Sequence, residues 1–256
     1  MIARNILITG ASGGIGAALA RVYAVPGSSF VLWGRNEERL AETAAQCRAR
    51  GALCETASFD LTDFDRLVAA LEAADARNPF DLVILNAGVG GSLPRDRAAQ
   101  DARLAQIMTG VNFTAPVIAA NLLADRMARR GRGRIVFVGS VAGSFPLPMA
   151  PVYSGTKAGL AMFAEAMGLR LARYGVGVTL VSPGFVDTAM SRSLKEPRPF
   201  LMTPDAAAAI IARKIECGAR HIVVPWQFAV ILAAAKLVPR SIMRAVFSRL
   251  LRAQPD

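Results

Sequence analysis

Short apolar runs alternate with longer stretches of helical period along most of this chain. The runs fall at residues 2–9, 30–33, 53–59, 81–85, 135–138, 176–181 and 221–224. Asp81-Leu-Val-Ile-Leu85 is nearly all apolar, as a strand covered on both faces should be. Helical patterns fill the gaps between runs. They extend from a glycine-rich turn through Ala24, from Glu37 to about Arg50, from a start at Thr62 with Asp65 behind it, and over 101–130 and 151–174. Another starts at Thr203, an N-cap, with Pro204 in the first helical position. Seven strands alternating with helices predict an α/β fold with a doubly wound, seven-stranded parallel sheet and right-handed crossovers.

The first strand runs into Gly10-Ala-Ser12-Gly-Gly14-Ile15-Gly16. A tight strand-to-helix turn without Cβ atoms lets backbone approach a pyrophosphate, and the helix N-terminus offers free N–H groups to it. The second strand ends at Gly34-Arg35-Asn36. An acid there would bind an adenosine ribose 2′-hydroxyl, whereas the Arg35 guanidinium suits a 2′-phosphate and favours NADP over NAD; the alternative is a surface arginine. Asp60-Leu61 closes the third strand, and Asp60 can meet the adenine amino group or be a loop acid. Asn86-Ala87-Gly88 follows the fourth strand, with small residues that let a cofactor lie close to backbone. Asn112 sits within the 101–130 pattern, where an asparagine ordinarily faces solvent or bonds its own backbone.

The strongest candidate for chemistry is Tyr153-Ser-Gly-Thr-Lys157 with Ser140 before it. On a helix, residues four apart share a face. An ammonium beside a phenol would lower the phenol pKa, and a serine hydroxyl from a neighbouring strand end would hold a substrate oxygen against it. The same spacing also arises on helices without function. The segment 191–202, with its prolines and mixed polarity, is read as a mobile lid over the site.

Composition narrows the setting. The 256 residues are 53% hydrophobic and 19% charged, enough for one substantial core and against wholesale disorder. The net charge is +11, with basic patches at 126–134 and 240–252, yet no zinc-finger or RNA-binding signature accompanies it, so nucleic acid is not expected as a partner. Cys47, Cys54 and Cys217 are an odd number without metal-type spacing, so no metal is expected and a reduced, cytoplasmic setting fits. Residues 1–5 lack a basic n-region, so no signal peptide is expected. His221, the single histidine, is expected to be structural.

Thr9-Gly10-x3-Gly14-Ile-Gly16, Asn86-Ala-Gly88, Asn112, Ser140, Tyr153-x3-Lys157 and Pro183-Gly184 occur in this order. Over about residues 3–225 the ordered set resembles the short-chain dehydrogenase/reductase superfamily. That resemblance implies a Rossmann-like fold, a nicotinamide cofactor and hydride transfer between a hydroxyl and a carbonyl. It implies Tyr153 as acid/base, Ser140 orienting the substrate oxygen, Lys157 on the nicotinamide ribose, and Asn112 kinking its helix and holding a water. It implies cofactor contacts from Gly10, Ser12, Gly14, Ile15, Gly16, Arg35, Asp60, Leu61, Asn86, Ala87 and Gly88. Tyr153, Lys157, Pro183, Gly184, Val186 and Thr188, the last at the carboxamide, complete that set. Gly13 stands where many NADP-dependent members carry a basic residue, which leaves Arg35 as the main specificity signal. By analogy the protein forms a homodimer or homotetramer through helices 101–130 and 151–174.

Residues 1–225 therefore read as an NADP-binding catalytic domain and 226–256 as a helical extension. Trp226 to Val238 is almost uncharged, and Met243, Val246, Phe247, Leu250 and Leu251 have the spacing of a basic amphipathic helix. This tail can pack on its own domain or a partner subunit, lie at a membrane surface, or gate substrate. The expected function is an NADP(H)-dependent oxidoreductase on a carbonyl/alcohol pair, hydrophobic or lipid-like because loops 89–101, 143–151 and 189–202 are apolar or small in places. The alternative is a non-catalytic NADP-binding regulator or membrane-surface adaptor.

Overall fold

A computed structural model describes residues 5–94, 96–194, 197–235, 237–239, 241–243, 245 and 248. Seven strands form one sheet: β1 (Asn5–Thr9), β2 (Ser29–Trp33), β3 (Leu53–Ala57), β4 (Leu82–Leu85), β5 (Gly133–Val138), β6 (Val176–Pro183) and β7 (His221–Val224). All pairs are parallel, in the order β3-β2-β1-β4-β5-β6-β7. The order reverses between β1 and β4, so the crevice for a ligand opens beyond the carboxyl ends of those two strands.

Alternation along each central strand supplies two cores. Ile6, Ile8, Ile84 and Val136 face α1 (Gly14–Tyr23), α2 (Glu37–Arg48) and α8 (Pro204–Glu216). Leu7, Val83, Ile135 and Phe137 face α3 (Phe64–Arg77), α5 (Ala115–Arg130) and α6 (Pro151–Leu171). With about 25 cal/mol gained per Å² of apolar surface buried, both faces contribute to holding the strands in register.

Local chemistry sets the helix ends. Asn36 accepts from Arg39 N at 2.8 Å, Asp101 from Leu104 N at 2.9 Å and, as expected, Thr203 from Ala206 N at 3.2 Å. The start of α3 corrects the sequence reading. Asp63, not Thr62, is its N-cap, accepting from Arg66 N at 3.1 Å. Thr62 is held by the Asp60 carboxylate instead, through its N–H at 2.9 Å and its hydroxyl at 2.8 Å, which makes a turn of the residues that would have begun the helix.

The 101–130 stretch also differs from a plain helix. It comprises α4 (Ala102–Thr109), a π-helical turn at Gly110–Thr114 and α5. Asn112 lies in the π turn and is fully buried, against the expectation of a solvent-facing or locally bonded side chain. This span is also long and apolar enough to cross a membrane, but 56% of its apolar window is buried inside the domain, which makes it a core helix. After β7, α9 (Trp226–Ala235) begins the extension. Of the amphipathic spacing expected beyond it, only Met243 is described; Val246, Phe247, Leu250 and Leu251 lie outside the described residues. His221 bonds Ser182 Oγ at 2.9 Å, within the β6–β7 pair.

Candidate active site

The turn after β1 is shaped by contacts that only glycine tolerates. Gly10 and Gly14 have φ of 69° and 54°. A Cβ at Gly10 would lie 2.8 Å from Asn86 Nδ2, and one at Gly14 would lie 2.8 Å from Thr188 Cγ2. At Gly16 a Cβ would overlap the Gly10 carbonyl. Asn86 is thereby committed to structure. Its Nδ2 donates to the carbonyls of Thr9 at 3.0 Å and Gly10 at 3.1 Å, lacing the end of β4 to the turn. Thr9, which the sequence reading left out of the site, returns the bond: its hydroxyl accepts from the N–H groups of Asn86 at 3.0 Å and Ala87 at 3.1 Å. Ile15 packs against the core and Ser12 lies beside Gly34, where an added Cβ would be 2.9 Å from Ser12 Oγ. That puts the serine next to exposed Arg35.

Across the mouth of β2 and β3, the Asp60 carboxyl is held below the usual range by its bonds to Thr62 and, in part, by Arg35. Leu61 and Ala87 share a small cleft with Thr9 and Val111. The structure thus gathers Gly10, Ser12, Gly14, Gly16, Arg35, Asp60, Leu61, Ala87 and Gly88 around the switch point. The side chains of Ile15 and Asn86 face inward as supports.

The hydroxyl pair sits at the end of β5. Ser140 follows that strand and caps a short 3-10 turn, Val141–Ser144, accepting from Ala142 N at 3.1 Å. Its side chain lies beside the Tyr153 phenol on α6, near enough to act on the ionisation of that group. Lys157, one turn on and 4% exposed, donates from Nζ to the Val138 carbonyl at 2.8 Å. Close passage of the 3-10 turn over α6 needs Gly143, whose Cβ would lie 2.7 Å from the Lys157 carbonyl carbon.

The expected direction of the Tyr153 shift is corrected here. Burial raises the phenol above its ordinary value, and the Ser140 hydroxyl opposes that rise. Lys157 does not pull it down: its ammonium is turned to a carbonyl and lies 5.9 Å from the Tyr153 ring centroid. Burial in turn lowers Lys157 to about 8.

Asn112 completes this corner. Its Oδ1 accepts from Val89 N at 2.7 Å, and its Nδ2 donates to Val89 O at 2.9 Å and Thr156 Oγ1 at 3.4 Å. A Cβ built on Gly88 would have Asn112 Oδ1 at 3.4 Å and Lys157 Nζ at 3.7 Å. The open backbone of Gly88 therefore faces both groups.

The loop after β6 covers the crevice. Val186 is buried and bridges Met202, and Thr188 caps α7 (Ala189–Arg192) with a reciprocal bond from Ser191. The segment read as a lid, 191–202, is therefore tied at its two ends, Ser191 to Thr188 and Met202 to Val186, and just before it Thr188 abuts Gly14 and Met190 abuts Gly90. Pro183 ends β6, and Gly184 donates to the Val224 carbonyl at 2.7 Å. A Cβ on Gly184 would enter the Phe228 ring of α9. Phe228 and Met190 were missed from the sequence because nothing in their spacing connects them to the glycine turn or to Gly184.

Gly10, Gly14 and Gly16 let the turn close tightly against Asn86 and Thr188, while Gly13, before the first turn of α1, faces open space. The N–H groups that start α1 are thus left uncovered by side chains, and the residues present form a trough that fits the phosphates of a dinucleotide. A trough of this kind, opening toward a paired serine and tyrosine and a buried amine, defines a nicotinamide-dependent oxidoreductase. Within that class, the chain belongs to the short chain dehydrogenase family, whose model matches residues 4–199. An uncharacterized oxidoreductase of Myxococcus xanthus is 34% identical over 248 residues, 96% of this chain and 97% of its own. A short-chain dehydrogenase from Sphingobium yanoikuyae, solved in complex with NADPH, is 28% identical with a TM-score of 0.81, covering 99% of this chain and 98% of that one. A bulky-bulky ketone specific alcohol dehydrogenase from Comamonas testosteroni is 25% identical with a TM-score of 0.80, covering 100% of this chain and 98% of that one.

Proposed function

We propose that the protein is an NADP(H)-dependent oxidoreductase that interconverts a carbonyl and an alcohol on a hydrophobic, lipid-like substrate. The observation that carries this reading is the placement of Ser140, at the end of β5, beside the Tyr153 phenol, with buried Lys157 one helical turn from that phenol and tied to the same strand end. Bound in the trough, the nicotinamide supplies hydride for reduction or accepts it for oxidation. Gly10, Gly14, Gly16 and the first N–H groups of α1 hold the pyrophosphate, and Asp60 and Leu61 border the adenine. Arg35 and Ser12 hold a 2′-phosphate, which makes NADP(H) the preferred partner over NAD(H).

Tyr153 gives its proton to the carbonyl oxygen in reduction and takes one back in oxidation. A phenol kept protonated by burial suits the first of these roles. Ser140 stabilises the charge that develops on that oxygen. Lys157 holds the nicotinamide ribose, and Asn112 holds a water between the lysine and solvent. Val186 and Thr188 close over the nicotinamide end. Phe185 and Phe228, tilted at a centroid distance of 6.1 Å, form an apolar wall beside Gly184, and this favours an apolar substrate. The solved neighbour that acts on bulky ketones is in keeping with such a wall.

A homo-oligomer joined along α5 and α6 accords with Met162 and Leu169, large apolar side chains left exposed on α6. The reading is tested by following NADPH and NADH consumption over a panel of ketones, aldehydes and acyl-chain carbonyls. Turnover of apolar ketones with NADPH is the expected result. NADPH binding without turnover of any carbonyl or alcohol would favour the regulator instead.

A further inference from the structure

The helix α9 has no polar face. Its sequence, WQFAVILAAA, contains no charged residue. Phe228 and Leu232, one turn apart, are buried against the domain. Trp226 and Val230, one turn apart on the other side, are exposed. Leu237, beyond the helix, is 87% exposed, and Ile242 is also exposed. A helix that is apolar all round belongs in a protein core or in lipid, and here half of it has no core to enter. At 10 residues it is about 15 Å long, half the thickness of a bilayer's hydrocarbon core, so it cannot span one.

The sequence that holds this helix carries charge of a single sign. Residues 217–255 carry Arg220, Lys236, Arg240, Arg244, Arg249 and Arg252 and no aspartate or glutamate. A second copy of the chain would set such a basic segment against another of equal charge. An anionic lipid surface neutralises it while accepting the apolar side chains. We infer that the outer face of α9 and the segment after it dock the protein on an anionic lipid membrane, with the helix lying in the interface. The inner face then has a second consequence, resting on the function proposed above. Phe228 touches both Gly184 and, edge-on at 5.7 Å, Phe200, so docking sets the apolar wall of the substrate site at the bilayer surface.

The chain holds its own probe. Of its two tryptophans, Trp33 is 3% exposed and Trp226 is 68% exposed, so a change in emission on docking reports Trp226. The full-length protein is mixed with vesicles of phosphatidylcholine and phosphatidylglycerol, or of phosphatidylcholine alone, and read by tryptophan emission and by co-sedimentation. The expected result is a blue shift and at least about tenfold stronger pelleting with the anionic vesicles, weakened by salt. Trp226→Phe should lose the shift and keep most of the pelleting. Val230→Asp combined with Leu237→Asp should abolish pelleting while leaving the melting temperature and NADPH binding unchanged. Equal pelleting on both vesicle types, no pelleting, or undiminished pelleting of the double variant would overturn the inference. So would a double variant that falls apart into smaller species in sedimentation velocity, which would make the face a subunit contact. None of these readouts requires turnover, so a failed activity assay and a failed docking assay remain separate results.

Discussion

Replacing Asn112 with alanine should weaken the whole domain, although the residue sits on a helix turn far in sequence from what it holds. The side chain is fully buried and makes both hydrogen bonds of the Val89 backbone, accepting from its N–H and donating to its carbonyl. Asn112→Ala leaves both groups unpaired. A buried unsatisfied backbone group costs about 1–3 kcal/mol, and Val89 is only partly buried, so the lower half of that range applies to each. The expected loss is about 2–4 kcal/mol in total. At about 2–4 °C per kcal/mol for a chain of this size, the midpoint of thermal unfolding should fall by about 4–16 °C.

An isosteric variant separates hydrogen bonding from packing. Asn112→Asp keeps the shape; protonated, it can accept from Val89 N and donate to Val89 O, but ionised it sets a buried charge against that carbonyl, so it should be less stable than alanine at neutral pH and recover as pH falls. Differential scanning calorimetry gives the midpoints, and urea unfolding gives the free energies. If Asn112→Ala melts within about 1 °C of wild type, the bonds to Val89 contribute nothing net and the reasoning fails. If the stability of Asn112→Asp relative to Asn112→Ala does not change with pH, the contact with the Val89 carbonyl is not what holds this corner.

Tyr153→Phe should lower kcat by about 100- to 10,000-fold and leave NADPH binding within about threefold of wild type; retained turnover would remove the tyrosine from the proton path. Arg35→Ala should weaken NADPH by about 10- to 100-fold and NADH hardly at all, as loss of a charge-assisted bond to a phosphate requires, whereas equal losses would refute the specificity assignment. Lys157 also predicts a pH dependence. Burial lowers it to about 8, while the unfolded chain keeps an ordinary value near 10.4. Between those values the unfolded state binds more protons, so stability rises with pH. Relative to Lys157→Met, the wild type should gain stability from pH 8 to 10 by chemical denaturation; parallel curves would refute it. The burial of Tyr153 acts with opposite sign, and only above its ordinary value near 10, which leaves that window clear.

Most strands could be read from sequence because buried parallel strands are short apolar runs; β3, an exposed edge strand with the sequence Leu-Cys-Glu-Thr-Ala, carries the weakest signal of the seven. Their ends were less legible. The third run was expected to reach Phe59, but the strand stops at Ala57, and Phe59 turns in to meet Trp33 with ring centroids 5.0 Å apart. The glycine turn and the Tyr153–Lys157 pair could be read because their constraints are local. What could not be read is contact between distant segments. Asn112 was placed on a helix but not against Val89, Asn86 was seen as room for a cofactor and not as a brace for Gly10, and Phe228 gave no sign of filling the space that Gly184 leaves. Spacing shows which residues share a face, while burial, which decides their charge, depends on what covers that face.

This distinction is sharpest at Lys157. From an i, i+4 spacing, its effect on Tyr153 would be a charge acting on a phenol. In the fold, its Nζ is tied to the carbonyl of Val138, two residues before Ser140. Since Tyr153 is on the same helical turn as Lys157, one hydrogen bond from α6 to the end of β5 fixes the separation of the serine and tyrosine hydroxyls. The lysine thus acts on the pair through position at least as much as through charge. Arginine in its place would keep the positive charge but bring a planar, wider group to a carbonyl that accepts a compact ammonium. Lys157→Arg should therefore disturb the placement of Ser140 against Tyr153 while preserving the positive charge, and a loss of turnover close to that of Lys157→Met would identify placement, not charge, as what the lysine supplies.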